Sequence, residues 1–400
     1  MTRQEFIKKS AALGIGLPFL SMLMESCDKA ADLYPDLEVN FSGKVIIIGA
    51  GAAGLTAGYL LNKYNIDFEI LEASSVLGGR LKRAEDFADF PIDLGAEWIH
   101  EDPSVLAKLI SDPHISANVE IMPYSPDTIY SFKNGKRRKH NWGSNFYSEY
   151  KFKNTTWYGF FEKYIAPNIA DKIIFNCPVN EIDHSADKVS IKNINEDTFE
   201  ADKVLLTVPI TILQNNSIDF IPSLPTEKTK AINSINMPDG IKVFIEFSEK
   251  FYPDLLFAES LISGIQSQDK IFYDATLRKD SNRNILGLFS VGAKSSPYTD
   301  LETDTEIINM ILSELDEMFD GKASQTYVKH IIQNWSKEPY IQGSYGIDFQ
   351  ESESKTAEKL FKPIDNKIYF AGEALAGDNS ATVPGAGETA YHTIEILLKN

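Results

Sequence analysis

The chain is 400 residues long, 43% hydrophobic and 24% charged, the composition of a soluble globular protein of two or three domains. Its net charge of −18 excludes a nucleic-acid binder that works through bulk electrostatics. With only two cysteines, 27 and 177, CxxC metal or redox chemistry is excluded, and no histidine pair has helical metal-ligand spacing, so no metal is expected.

Residues 1–27 differ from the rest. Arg3, Lys8 and Lys9 precede an uncharged run, Ser10 to Met24, with the length and flanks of a secretory h-region. It is too short to span a bilayer comfortably. "MTRQEFIKKS" resembles a twin-arginine export signal, with Gln4 where the second arginine belongs. "LMESC" resembles a bacterial lipoprotein cleavage site at which Cys27 becomes the lipidated N-terminus, although Glu25 is unusual there. The expectation is an exported protein, periplasmic or in the cell envelope, attached to the membrane through Cys27. The other reading is an ordinary buried amphipathic helix. Residues 28–41 read as a polar tether.

Val45 to Ile48 is a continuous apolar run, as a buried parallel strand requires. Gly49-x-Gly51-x-x-Gly54 follows at once, then a helical pattern to about Tyr64 and a second strand, Phe68 to Leu71, ending at Glu72 and Ala73. Gly49 suits a tight turn, Gly51 a close backbone approach to a pyrophosphate, and Gly54 close packing of helix on strand, with Ala53 between them. Glu72 is placed to accept hydrogen bonds from a ribose diol. The unit predicts a dinucleotide site and leaves open whether the ligand is NAD or FAD.

Gly78-Gly79-Arg80 offers a second backbone approach with a guanidinium suited to phosphate. "DFPIDLGAEWIH" follows at 89–100. With these segments the chain resembles the flavin-dependent amine oxidases: monoamine and polyamine oxidases, lysine-specific histone demethylases and L-amino-acid oxidases. The resemblance implies FAD, with Gly79 and Arg80 continuing its site and Gly95, Ala96, Glu97 and Trp98 lying along the flavin.

Between 170 and 236, strands separated by a turn at Ser185 to Asp187 fit the same family, and Val179 is implied to meet the adenine. "PDGIKVFIEF", 238–247, alternates like a half-buried strand. That window alone places Lys242 on the polar face in water. The resemblance instead makes Lys242 the family's lysine that holds a water against flavin N5, with Ile241, Val243, Ile245 and Phe247 in the core. Asn134-Gly135 signals a hairpin, and Thr303 to Glu306 a capping box for a helix ending at Gly321. In "QNWSKEPYIQGSYG", Trp335 takes the family's flavin-adjacent tryptophan position and Tyr345 its aromatic residue over the flavin. Ser344 replaces the monoamine oxidases' flavin-bonding cysteine, so FAD is expected to be non-covalent.

At the far end, "FAGE" matches the family's second FAD contact, with Gly372 and Glu373, and "ATVPGAGETA" opens a helix facing the flavin ring with Thr382, Val383 and Ala386. Thr382 stands where monoamine oxidases carry the second tyrosine of their amine cage.

The expected fold class is α/β. A discontinuous Rossmann-like FAD-binding domain (42–101, 170–236 and 343–400) accompanies a mixed substrate domain (102–169 and 237–342). The implied activity is oxidation of an amine C–N bond by hydride transfer to flavin N5, with O2 or another acceptor. Alternatives are an L-amino-acid oxidase, for which Arg278 and Arg283 are candidate carboxylate partners, another flavin oxidoreductase of the superfold, or a silent flavin-binding homologue.

Overall fold

The computed structural model describes residues 37–99, 106, 119–141, 149–258, 270–347 and 353–400. The expected export and lipidation segment, residues 1–27, and His100 lie outside them.

Five parallel strands form the first sheet, in the order Ile368–Phe370, Lys203–Leu206, Lys44–Ile48, Asp67–Leu71, Ile173–Ile174. Val45 to Ile48 is buried on both faces, which explains its unbroken apolar run. On one face the Ala52–Lys63 and Val383–Lys399 helices pack together over Val45, Ile47, Phe68 and Ile70. On the other, Ile46, Ile48, Val204 and Leu206 share a core with a four-stranded sheet built from Thr198–Ala201, Val189–Asn193, Val179–Asp183 and Asp219–Ile221. Residues 157–169, grouped with the substrate domain on sequence, send Trp157, Phe160, Phe161, Ile165 and Ile169 into the first of these cores. An α-turn there runs into a π-helix, Phe161–Ile165, which no simple periodicity announces.

The third sheet has seven strands, in the order Tyr327–Asn334, Gly240–Phe247, Asn284–Val291, Lys270–Asp274, Leu255–Phe257, Ile129–Lys133, Lys136–His140. Ile241, Val243, Ile245 and Phe247 pack on the Asp304–Phe319 helix, as the alternation predicts. That helix carries the expected capping box, Thr303 with Glu306, and unwinds through left-handed Asp320 and Gly321. The Asn134-Gly135 hairpin forms with both residues at positive φ. The opposite face of the sheet, with Phe244, Tyr273 and Ile285, packs on Phe87, Ile92 and Leu94. The Gly240–Phe247 strand therefore holds Lys242 against the segment that follows Gly79-Arg80. Two two-stranded ribbons complete the sheets among the described residues: Arg83–Ala84 with Ile92–Asp93, and Ile121–Tyr124 with Glu149–Phe152.

Candidate active site

The nucleotide end is made by glycines where a side chain would not fit. A Cβ on Gly54 would lie 1.9 Å from the Gly49 carbonyl oxygen, so glycine alone lets the helix come this close to the strand. Gly49 turns at φ +105° and donates its N–H to the Leu71 carbonyl at 2.9 Å. Around Gly51 and Gly372 the backbone faces open space: a Cβ on Gly51 would meet nothing nearer than 3.9 Å, and one on Gly372 nothing within 4 Å, while one on Gly79, at φ +58°, would touch the Gly51 Cα at 3.4 Å. No side chain caps the Ala52–Lys63 helix at Gly51, so its first N–H groups are free for phosphate oxygens. This cradle fits the pyrophosphate and ribityl chain of FAD. Glu72 is buried at the strand end, its carboxylate accepting from Ala50 N at 2.6 Å and from Ser74 N and Oγ at 2.8 Å. Ala53 is buried and Ala73 half-buried beside it. Val179 is buried between the first two sheets, two residues after Cys177, whose N–H donates to the Glu72 carbonyl at 2.9 Å.

Arg80 ties the chain's two FAD motifs together. Its Nη1 donates to Glu373 Oε1 at 2.7 Å and to the Ser344 carbonyl at 2.9 Å. Glu373 also accepts from Gly346 N and Ala381 N. One ion pair thus fixes both ends of the Ser344–Gly346 turn that carries the half-buried Tyr345. Thr382 caps the C-terminal helix, accepting from Gly385 N at 2.9 Å, and Val383 and Ala386 are buried behind it.

Beside this lies a buried charge cluster on the 93–98 segment. Trp335 donates Nε1–H to the Leu94 carbonyl at 3.0 Å, and its ring would lie 3.1 Å from a Cβ on Gly95. Ala96 N is 3.3 Å from the Arg80 carbonyl, which joins the two halves. Lys242 is 3% exposed. Its Nζ donates to the Asp93 carbonyl at 2.8 Å, the Gly95 carbonyl at 3.0 Å and Glu97 Oε2 at 2.6 Å. An ammonium has three donors, and here protein acceptors take all three. Beside the expected water-holding role, the structure shows Lys242 clamping the 93–95 backbone and placing a buried charge against Glu97. Glu97, expected as a flavin contact, is the hub of this cluster. Its Oε1 pairs with Lys151 at 2.5 Å, and Oε2 also accepts from the Tyr273 hydroxyl at 2.5 Å.

Sequence reasoning missed Lys151, Tyr124 and Tyr273. Lys151 Nζ lies 4.1, 4.6 and 4.5 Å from the ring centroids of Trp98, Tyr124 and Tyr273, an aromatic cage around an ammonium. Burial alone would raise the Glu97 acid, but Lys151 and Lys242 outweigh it and hold it at about 2. Burial, reinforced by the Glu97 charge, pushes Asp93 up to about 8, and its Oδ1 has no hydrogen-bond partner among the described residues. Burial lowers the Lys151 ammonium, and burial with the Lys151 charge brings Lys279 down to about 8. Of the two arginines considered for a substrate carboxylate, Arg283 pairs with Glu246 through two 2.8 Å bonds and Arg278 is exposed.

Residues 158–393, more than half of the chain, match the family described as flavin containing amine oxidoreductase. The chain belongs to that family. Residues 47–111 also match the NAD(P)-binding Rossmann-like domain. A polyamine oxidase of Oryza sativa subsp. japonica is 27% identical over 54% of this chain and 42% of its own. The mouse lysine-specific histone demethylase 1B is 27% identical over 52% of this chain and 25% of its own. The chain thus spans less than half the length of these two relatives. A putrescine oxidase bound to putrescine superposes with a TM-score of 0.73 at 16% identity, over 90% of this chain and 100% of that one. Cyclohexylamine oxidase from Brevibacterium oxydans IH-35A superposes at 0.72 and 17%, with the same coverage. At these identities the likeness establishes the fold.

Proposed function

We propose that the chain is an FAD-dependent amine oxidase acting on a small-molecule amine, with O2 or another acceptor taking the electrons. The observation that carries this is that Arg80 holds Glu373 and the Tyr345 turn through its side chain and meets Ala96 N through its carbonyl, on the 93–97 segment that Lys242 and Trp335 also hold. In this reading the stretches 42–101, 170–236 and 343–400 bind FAD, and 102–169 with 237–342 receive the amine, 157–169 supporting the first. Gly51, Gly79 and Gly372 would admit the pyrophosphate and ribityl chain, and Glu72 the adenosine ribose. Trp335 and Tyr345 would wall the ring, with Ser344 leaving it non-covalently held. When bound, the flavin supplies the hydride acceptor for the amine's α-carbon, and the imine product hydrolyses in water. The protein's share is orientation, exclusion of water and electrostatics. Lys242 holds the Asp93 and Gly95 carbonyls in place and offers a buried positive charge beside the reacting atoms. Export and attachment through Cys27, argued from residues 1–27, complete the proposal.

The test is anaerobic mixing of the purified holoenzyme with a panel of monoamines, polyamines and amino acids. Loss of the oxidised flavin's visible absorbance is expected with one class of amine. Protein that retains flavin but is reduced by none of them would support a silent homologue instead.

A further inference from the structure

Lys151 is a buried cation of this site that the chemistry proposed above does not use. It is 3% exposed, on a strand that pairs with Ile121–Tyr124 and bridges Ile99 through Tyr150. Neutralising Glu97 does not require it, since Lys242 and the Tyr273 hydroxyl already serve that carboxylate. The charges around Glu97 do not balance. Lys151, Lys242 and Lys279 face Glu97 and Asp93, and Lys279 sits close by, donating to the Phe152 and Lys153 carbonyls. By geometry two ammonium groups, Lys151 and Lys242, meet the single Glu97 carboxylate, an excess of one positive charge at that group. In a buried site of low dielectric such an excess acts over several ångströms.

We propose that Lys151 is a specificity determinant. The positive charge it adds to the Glu97 cluster favours an amine whose far end is neutral or anionic, and turns away diamines and polyamines. These carry a second ammonium at neutral pH, since an alkylamine titrates near lysine's about 10.4. The proposal rests on the amine-oxidase reading, which places the substrate beside Lys242. The aromatic cage explains how the chain keeps this charge buried: three ring faces and one carboxylate oxygen solvate the ammonium in place of water.

The experiment compares a straight-chain monoamine with the diamine of the same carbon count, in holoenzyme, by calorimetric binding and by anaerobic flavin reduction. Wild type is expected to prefer the monoamine in both. Lys151→Met, which leaves Glu97 paired with Lys242, should shrink that preference about tenfold, the scale of one like charge at short range. Lys151→Arg should keep it, and Glu97→Gln should enlarge it. A wild-type preference for the diamine overturns the proposal without any variant, as does an unchanged ratio in a folded, flavin-loaded Lys151→Met protein. If the binding order holds but no amine reduces the flavin, the oxidase reading fails and this one stands. If both amines reduce it equally well, only this one fails, and if neither binds, both fail.

Discussion

Lys242 shows how far a single side chain can be read from its window. Its burial contradicts the alternation of "PDGIKVFIEF", which puts it on the face that water would ordinarily cover, and agrees with the family position. Its partners were beyond reach of the window: Glu97 is 145 residues away in sequence and entered the reading only as a flavin-lining position. Lys151 had no local signal at all, because "EYKF" looks like any short solvated strand. Lys242→Met should leave two buried carbonyls without a donor, costing about 2–4 kcal/mol of stability. It should also slow amine-driven flavin reduction. Urea melts and stopped-flow absorbance check the two effects, and unchanged reduction would remove Lys242 from the mechanism.

Among the elements, those with one clear periodicity were legible: the Lys44–Ile48 strand, the Gly240–Phe247 strand and the capped Asp304–Phe319 helix. The stretch 157–169 was not, because it changes from α to π to 3-10 winding while its aromatics point one way into the core. Lys228 joins two elements whose contact no pattern suggests. From the Thr226–Asn233 helix its Nζ donates to the Leu360 and Lys362 carbonyls, both at 2.6 Å, at the end of the Glu353–Phe361 helix. There it caps carbonyls that the helix leaves unpaired. Burial lowers its ammonium from 10.5 to about 7. Between those values the unfolded chain holds a proton that the folded chain releases, so this group adds stability as pH rises from about 7 to about 10.5. Lys228→Met should cost about 1–3 kcal/mol through the lost donors. It should also abolish that alkaline rise, read by thermal melts across the interval.

At the scale of the molecule, the strongest sequence signals lie near opposite ends of the chain, and the fold brings them together through Arg80 and Glu373. The FAD motifs were legible because glycine is obligatory where backbone must approach backbone, as Gly54 does Gly49. The charge cluster was not, because it is assembled from four separated stretches, each unremarkable alone. Membrane attachment is a whole-molecule property too. If Cys27 is lipidated, Cys27→Ser should move the full-length protein from the membrane fraction to the soluble one. An unchanged distribution on fractionation would remove the anchor from the proposal.

The parallel sheet has a temporal consequence. Its last strand in chain order, Ile368–Phe370, lines the edge of Lys203–Leu206, and the Val383–Lys399 helix covers the Ala52–Lys63 helix, which is made long before it. A nascent chain therefore keeps its 44–71 β–α–β unit half-clothed until Ile368–Phe370 and Val383–Lys399 have been made. Arg80 waits equally long for Glu373, so the contact that joins the two glycine-rich segments forms only once residue 373 has been made.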